Sequence, residues 1–220
     1  MAPRTSVLAF SAAAAALVLL TLPVDAGARK LRPVDESGRD PSLRRFLAGL
    51  RETVRRRDRA GLMRVLHPKV ELSFGGHQGT ADFRSMWHPE RRESEIWPTL
   101  AWILAHGGSF FEEEGQRSFW MPCVFSEFPD DLDAFEGWQA VVGRRVRLRA
   151  SPGIEGRVKA HLSYDLVRVL HEGNNWSRVR LPGGREGWVA RRYLRGPIDY
   201  RAGFRKVNGE WKLEALLAGD

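Results

Sequence analysis

The spacing of apolar positions changes character near the middle of the chain. From Ser42, the residues Leu43, Phe46, Leu47, Leu50 and Val54 recur at helical spacing, while Arg44, Arg45, Arg51, Arg55 and Arg56 take the opposite face. This predicts an amphipathic helix. Asp58 is placed to cap a second, shorter helix carrying Leu62, Val65 and Leu66, which ends near His67-Pro68 because a residue before proline avoids the helical region. Val70 to Phe74 alternates apolar and polar residues as a half-buried strand does, and Gly75-Gly76 turns it. A helix is expected to begin at Ala81 and run to Trp87. Another spans Ser94 to His106, with Ile96, Trp97, Leu100, Ile103 and Leu104 on one side and Gly107-Gly108 as its stop. Phe119 to Phe125 is apolar enough for a buried strand, although Pro122 interrupts it.

After Gly137 the pattern shortens to brief strands between turn residues. Val146 and Leu148 alternate with Arg145, Arg147 and Arg149 before Ser151-Pro152-Gly153 breaks the chain. Val158 and Leu162 follow, then a strand at Leu166 to Leu170, a turn at Gly173-Asn174-Asn175, a strand with Trp176, Val179 and Leu181, a turn at Pro182-Gly183-Gly184, and Gly187-Trp188-Val189. So many short strands predict a small antiparallel barrel, which removes sheet edges by curling. The chain closes with a hairpin about Asn208-Gly209, a dipeptide suited to a type I′ turn, and Trp211, Leu213, Ala215 and Leu217 give it one buried face. The predicted fold is α+β: a helix-rich body with a curved sheet over 42–137, a small barrel over 138–195, and a C-terminal hairpin over 196–220. The hairpin is expected to pack on the N-terminal body, which would make the barrel an insertion into it; a barrel merely appended to the body is the alternative.

The N-terminus adds a targeting expectation. Arg4 precedes an Ala- and Leu-rich stretch from Val7 to Leu22, followed by small residues, which is the pattern of a signal peptide over 1–28. Cleavage fits after either Ala26 or Ala28. The apolar run is shorter than the roughly 20 residues that span a bilayer, and no later segment is apolar enough to do so. Residues 29–41 are polar and contain Pro33, Gly38 and Pro41, so they read as a flexible linker. The single cysteine, Cys123, has no partner within the chain for a disulfide.

The charge sharpens the picture of the second half. The formal net charge is +8, and Gln139 to Arg195 holds 13 Arg and Lys against 4 Asp and Glu, so that stretch carries the whole excess. A basic surface of this kind attracts anionic polymers such as wall glycopolymers, lipid headgroups or nucleic acid. Arg also outnumbers Lys throughout, as a general compositional preference would produce.

The ordered series from Val141 to Leu194 resembles the bacterial SH3 domain. It comprises the Val-Arg-Leu-Arg strand at Val146 to Arg149, Ser151-Pro152, Gly156-Arg157-Val158, the strand at Val167 to Leu170, Trp176 with Val179, and Gly187-Trp188-Val189 before Tyr193-Leu194. The sequence departs from the family where Tyr164-Asp165 replaces a glycine before the central strand and where Arg147 replaces a common asparagine. The resemblance implies a small β-barrel and a role in recognising cell-wall material or a peptide. The helices from Ser42 to about Trp87, with the closing hairpin, are loosely similar to the nuclear transport factor 2-like superfamily, which implies a curved sheet behind an N-terminal helix pair.

Exposed aromatics on such a barrel offer contact area to an extended peptide or glycan. The ligand-binding candidates are Tyr164, Tyr193, Trp176 and Trp188, with Arg147 and Arg178 for anionic groups; the competing assignments are core plugs for the tryptophans and a solvated face for the arginines, on which Arg149 and Arg180 also alternate. Catalytic readings find less support. Cys123 lies in an apolar run, where a thiol is inert. The histidines His67, His77, His88, His106, His161 and His171 lack zinc-site spacing. Glu112-Glu113-Glu114 and Asp130-Asp131-Asp133 read as solvated connections rather than a glycosidase pair, and no motif calls for a cofactor or metal. The expected function is a non-catalytic exported envelope protein whose barrel binds a cell-wall polymer or an envelope protein or peptide. The alternative is an envelope enzyme or small-ligand binder that uses the N-terminal body, with His77, Asp82, Trp87 or His88 near a cavity mouth and the barrel as its targeting module. A nucleic-acid partner is disfavoured by the leader.

Overall fold

The computed structural model describes residues 29–219; the expected signal peptide at 1–28 lies outside them. A 3-10 turn at Ser37–Arg39 leads into α1 (Pro41–Arg56), α2 (Arg59–Val65) and β1 (Leu66–Glu71). Then come α3 (Gly79–Trp87), α4 (Ile96–Leu104), β2 (Ser109–Glu113), β3 (Gln116–Met121) and the short α5 (Cys123–Ser126). The second half contributes β4 (Trp138–Val141), β5 (Val146–Arg149), β6 (Val158–Leu162), β7 (Leu166–His171), β8 (Trp176–Arg180), β9 (Glu186–Ala190) and β10 (Leu194–Arg195). The hairpin β11 (Arg201–Val207) and β12 (Glu210–Leu217) closes the chain, with Asn208 and Gly209 both at positive φ (51° and 83°). The fold is α+β, as expected.

Helix α1 forms where its periodicity places it, and its apolar stripe Leu43, Leu47, Leu50 and Val54 is buried. Asp40 caps it by accepting hydrogen bonds from the backbone N–H of Ser42 (2.8 Å) and Leu43 (3.1 Å), and Pro41 takes the first helical position. The Ser42 hydroxyl donates to the same carboxylate and, with those N–H groups and Lys206, holds its pKa well below the usual range. Asp40→Ala is expected to cost about 1 kcal/mol of stability at neutral pH. The folded-state pKa is depressed, so this contribution is complete above the unfolded value of about 3.9 and is lost as the pH falls from there through the lower folded-state value. Thermal denaturation at several pH values checks both statements: the gap between wild type and variant narrows in acid.

Five strands in the order β1-β12-β11-β3-β2 make the sheet behind these helices. Strand β1 runs parallel to β12, and the other pairs are antiparallel. Strands β11 and β12 lie inside this sheet, so β4 to β10 are inserted in sequence between β3 and β11. The sheet and helices enclose a core in which Phe83, Leu100, Phe119 and Phe204 are fully buried. The edge of the Phe46 ring meets Phe204 at a centroid distance of 5.8 Å.

Several expectations are corrected here. Strand β1 starts at Leu66 and ends at Glu71, and Phe74, assigned to the buried side by alternation, is 57% exposed beyond the strand end. The chain from Phe119 leaves its strand at Met121, where a cis bond to Pro122 turns it into α5. The acidic run beginning at Glu112 is not a bare connection: Glu112 and Glu113 sit in β2, paired with Arg117 and Gln116. Strand pairing with β3 sets their backbone, and solvent receives their side chains.

Residues 29–41 do not run free as a linker. The Leu31 N–H donates to the Tyr164 carbonyl (2.8 Å), the Leu166 N–H donates to the Arg29 carbonyl (2.8 Å), and Lys30 reaches the buried Asp165 carboxylate at 2.9 Å. Leu31 is buried with Val124 of α5, Ala140 and Leu166 in a small core. Arg29 pairs with Asp131, and Asp35 bridges to Gly108. One apolar side chain and a set of backbone bonds to distant strands anchor a segment whose composition alone reads as solvated.

The second sheet has the order β10-β4-β7-β8-β9-β5-β6. Residues from its two ends share one core, in which Val141, Leu148, Leu162, Val179, Val189 and Leu194 are buried. The sheet therefore wraps around that core. Among the described residues, however, no ladder joins β10 to β6, so it is not the closed barrel expected.

Candidate binding groove

Alternation along β8 and β9 turns Ser177, Val179, Gly187 and Val189 inward and Trp176, Arg178, Arg180, Glu186 and Trp188 outward. This decides the status of the tryptophans. Neither plugs the core; both are half-buried on the outer face, and Trp188 meets His171 edge-on at 6.1 Å.

The same face divides its arginines into two groups. Arg178 and Arg180 both clamp Glu186 at 2.7 Å, and their hydrogen bonds, Arg180 first, hold its pKa below the ordinary value. That carboxylate offsets one of their two charges. Arg147 and Arg149, one strand beyond, instead enter a surface groove of about 960 Å³. Arg149 is buried there, donating from Nη1 to the Gly156 carbonyl (2.6 Å), with its guanidinium carbon 6.0 Å from the Trp176 ring centre.

The groove collects residues from four stretches of sequence. Arg144 and Arg145 come from the turn before β5, Asn174 and Asn175 from the β7–β8 turn, and Arg191, Arg192 and Tyr193 from a 3-10 turn after β9. Arg195 and Asp199 complete it beside Ile154, Trp176 and Ala190. Seven arginines thus meet one acidic side chain, Asp199, in the lining. Arg191 is paired with Glu172, and Arg192 lies 5.1 Å over the Tyr193 ring. Arg195 donates to the Leu194 carbonyl (2.7 Å), stacks 4.6 Å over Trp102, and has its pKa drawn down by burial. A guanidinium keeps its proton under such a shift, so the groove stays cationic.

Of the residues singled out in the sequence, the structure brings Tyr193, Trp176 and Arg147 together in this groove. Tyr164 lies elsewhere, lining a separate, more apolar cavity of about 370 Å³ with Leu31, His106 and Cys123. Its φ is +62°, which accounts for the glycine common at that position in the resembling family. Trp188 and Arg178 are not among the groove's lining residues. Sequence patterning misses the turn arginines Arg144, Arg145, Arg191 and Arg192 and the asparagines Asn174 and Asn175 as site residues. The signal that could find them is two Arg-Arg doublets, each in a turn flanking a core strand.

The cysteine and one histidine do meet through their backbones, since the Cys123 N–H donates to the His106 carbonyl (3.1 Å). The His106 ring, however, places Nδ1 2.6 Å from the Trp102 carbonyl and stacks on that indole. Burial pushes the Cys123 thiol pKa up, opposite to the activation a nucleophile needs. Among the described residues, no group of three or more His, Cys, Asp or Glu side chains is arranged to hold a metal ion, and no helix is long and apolar enough to cross a membrane.

No curated protein matches the chain. A solved structure of a designed NTF2-like protein, an Rd1NTF2_05 variant, aligns over 80% of this chain and 95% of its own, at 14% identity and a TM-score of 0.27, too loosely to assign the fold. Residues 144–195, which supply nearly all of the groove, match the family model described as Bacterial SH3 domain.

Proposed function

We propose that this protein is exported and non-catalytic, and that its SH3 domain binds cell-wall material or an envelope peptide in the arginine-lined groove. The observation that carries the reading is the groove itself: Trp176 and Tyr193 stand beside cationic side chains in an open depression large enough for an extended ligand. Aromatic faces give contact area at little entropic cost, and the arginine forks orient anionic or carbonyl groups. The signal-peptide pattern over 1–28 supports export, and the raised thiol pKa of Cys123 supports the absence of nucleophilic catalysis. The N-terminal body serves as the support on which the groove is mounted.

Retention of the purified protein on intact peptidoglycan sacculi tests the reading, beside the double variant Trp176→Ala, Tyr193→Ala. Retention at moderate salt is expected for the wild type, with a loss of about tenfold or more in a variant whose thermal melt stays cooperative. Absence of retention at any salt would refute wall binding and leave the peptide partner. The mass of the protein recovered from the cell envelope fraction checks export: loss of 26 or 28 residues is the expected result.

A further inference from the structure

We infer that the groove of the SH3 domain is a site for an anionic glycan, a hydroxyl-rich chain whose repeats carry phosphate or carboxylate groups. The inference rests on the function proposed above and names the ligand chemistry for the same groove. Three features support it. First, the cations here are available. Among the described residues, no acidic side chain pairs with Arg144, Arg145, Arg147 or Arg192, whereas Arg178 and Arg180, farther along the same face, share the Glu186 carboxylate. Charge that the fold does not neutralise is held ready for a partner.

Second, the arginines come from two separate stretches of the chain, the turn before β5 and the 3-10 turn after β9, which meet where the Val142 N–H donates to the Tyr193 carbonyl (2.8 Å). A planar guanidinium binds phosphate or carboxylate oxygens through two parallel hydrogen bonds. Donors supplied from two separate turns suit successive anionic groups along a chain better than one isolated ion. Third, the remaining lining is suited to sugar. Asn174 and Asn175 are exposed amides that both donate and accept, as neighbouring hydroxyls require, and Trp176 with Tyr193 offers flat faces for pyranose rings. A single-stranded nucleic acid is a poorer match, since such sites track the backbone with a series of stacking aromatics, and this lining has two.

The test is binding of the full chain to four soluble probes across a salt series: a phosphodiester-linked phosphomannan, polygalacturonate, neutral dextran and an oligodeoxythymidine. Binding to phosphomannan, to polygalacturonate or to both, well above dextran, is expected, and the stronger of the two identifies the anionic group. The triple variant Arg144→Gln, Arg145→Gln, Arg192→Gln should bind at least about tenfold more weakly and show a log-affinity against log-salt slope shallower by about two. The pair Arg178→Gln, Arg180→Gln should stay within about twofold of wild type. Equal weakening by both sets would reduce the effect to net charge and overturn the inference, as would dextran binding equal to the anionic probes or no binding to any probe. Tighter binding of the oligonucleotide would replace the glycan with nucleic acid. If sacculi hold the protein through Trp176 and Tyr193 while the arginine triple has no effect, the anionic ligand is wrong and the wall-binding function stands.

Discussion

Ending the chain at Ile198 is expected to unfold the N-terminal body outright. The deletion removes β11, which is hydrogen-bonded on both sides: Ala202, Gly203 and Phe204 pair with Met121, Trp120 and Phe119 of β3, and Arg201 to Val207 pair with β12. With β12 goes the only partner of β1 in the sheet order, so four of the five strands lose a neighbour or disappear. Phe204, Trp211, Leu213 and Leu216 also leave the core. At roughly 1.5 to 3 kcal/mol for each large apolar side chain, the loss is comparable with the whole stability of a domain, about 5 to 15 kcal/mol. Near-ultraviolet circular dichroism of the truncated chain should show loss of ordered tryptophan environments in the body. A 138–195 fragment, which retains all of β4 to β10, should still melt cooperatively. A truncated chain with native-like spectra and a sharp transition would show that the hairpin only decorates the body.

This dependence is partly legible in the sequence. Asn208-Gly209 between two apolar runs announces a hairpin through local chemistry, because both residues tolerate positive φ. What the hairpin packs on is a contact with strands about a hundred residues away, and alternation cannot name a partner. The same limit explains the segment 29–41. Its polar composition is real, but Leu31 and the backbone of Arg29 find partners in Tyr164 and Leu166, and only the fold brings these together.

The groove divides along the same line. Alternation places Arg147, Arg149, Arg178 and Arg180 on one face, and they do share it. Which of them remain available depends on Glu186, which stands opposite Arg180 across the β8–β9 hairpin. The turn at Pro182-Gly183-Gly184 is legible from its residues, and counting the strand register outward from it is enough to set that carboxylate against the arginines. Convergence of Arg144 and Arg145 with Arg191 and Arg192 has no such local signal, since their turns are separated by most of the domain.

The Gly187-Trp188-Val189 motif shows why a glycine stands in this element of the family resemblance, and it leads to the second large effect. A Cβ on Gly187 would lie 2.7 Å from the Arg149 carbonyl oxygen and 2.7 Å from Cγ of Leu148, closer than side-chain carbons come to either. One of those atoms belongs to the backbone of β5, and Leu148 is fully buried, so neither can simply swing aside. Strand β9 pairs with β5 at Trp188 and Arg149, and this junction holds β5 and β6 to the rest of the sheet. Gly187→Val is therefore expected to force the junction apart and to destabilise the SH3 domain by about 3 kcal/mol. The groove loses Arg147 and Arg149 from their places when β5 shifts, so retention on sacculi should fall together with the melting temperature. Gly187→Ala should lie between wild type and valine in both measurements. Wild-type stability in the valine variant would mean that β5 and β9 have room to separate, and that the glycine serves the turn before it rather than this close approach.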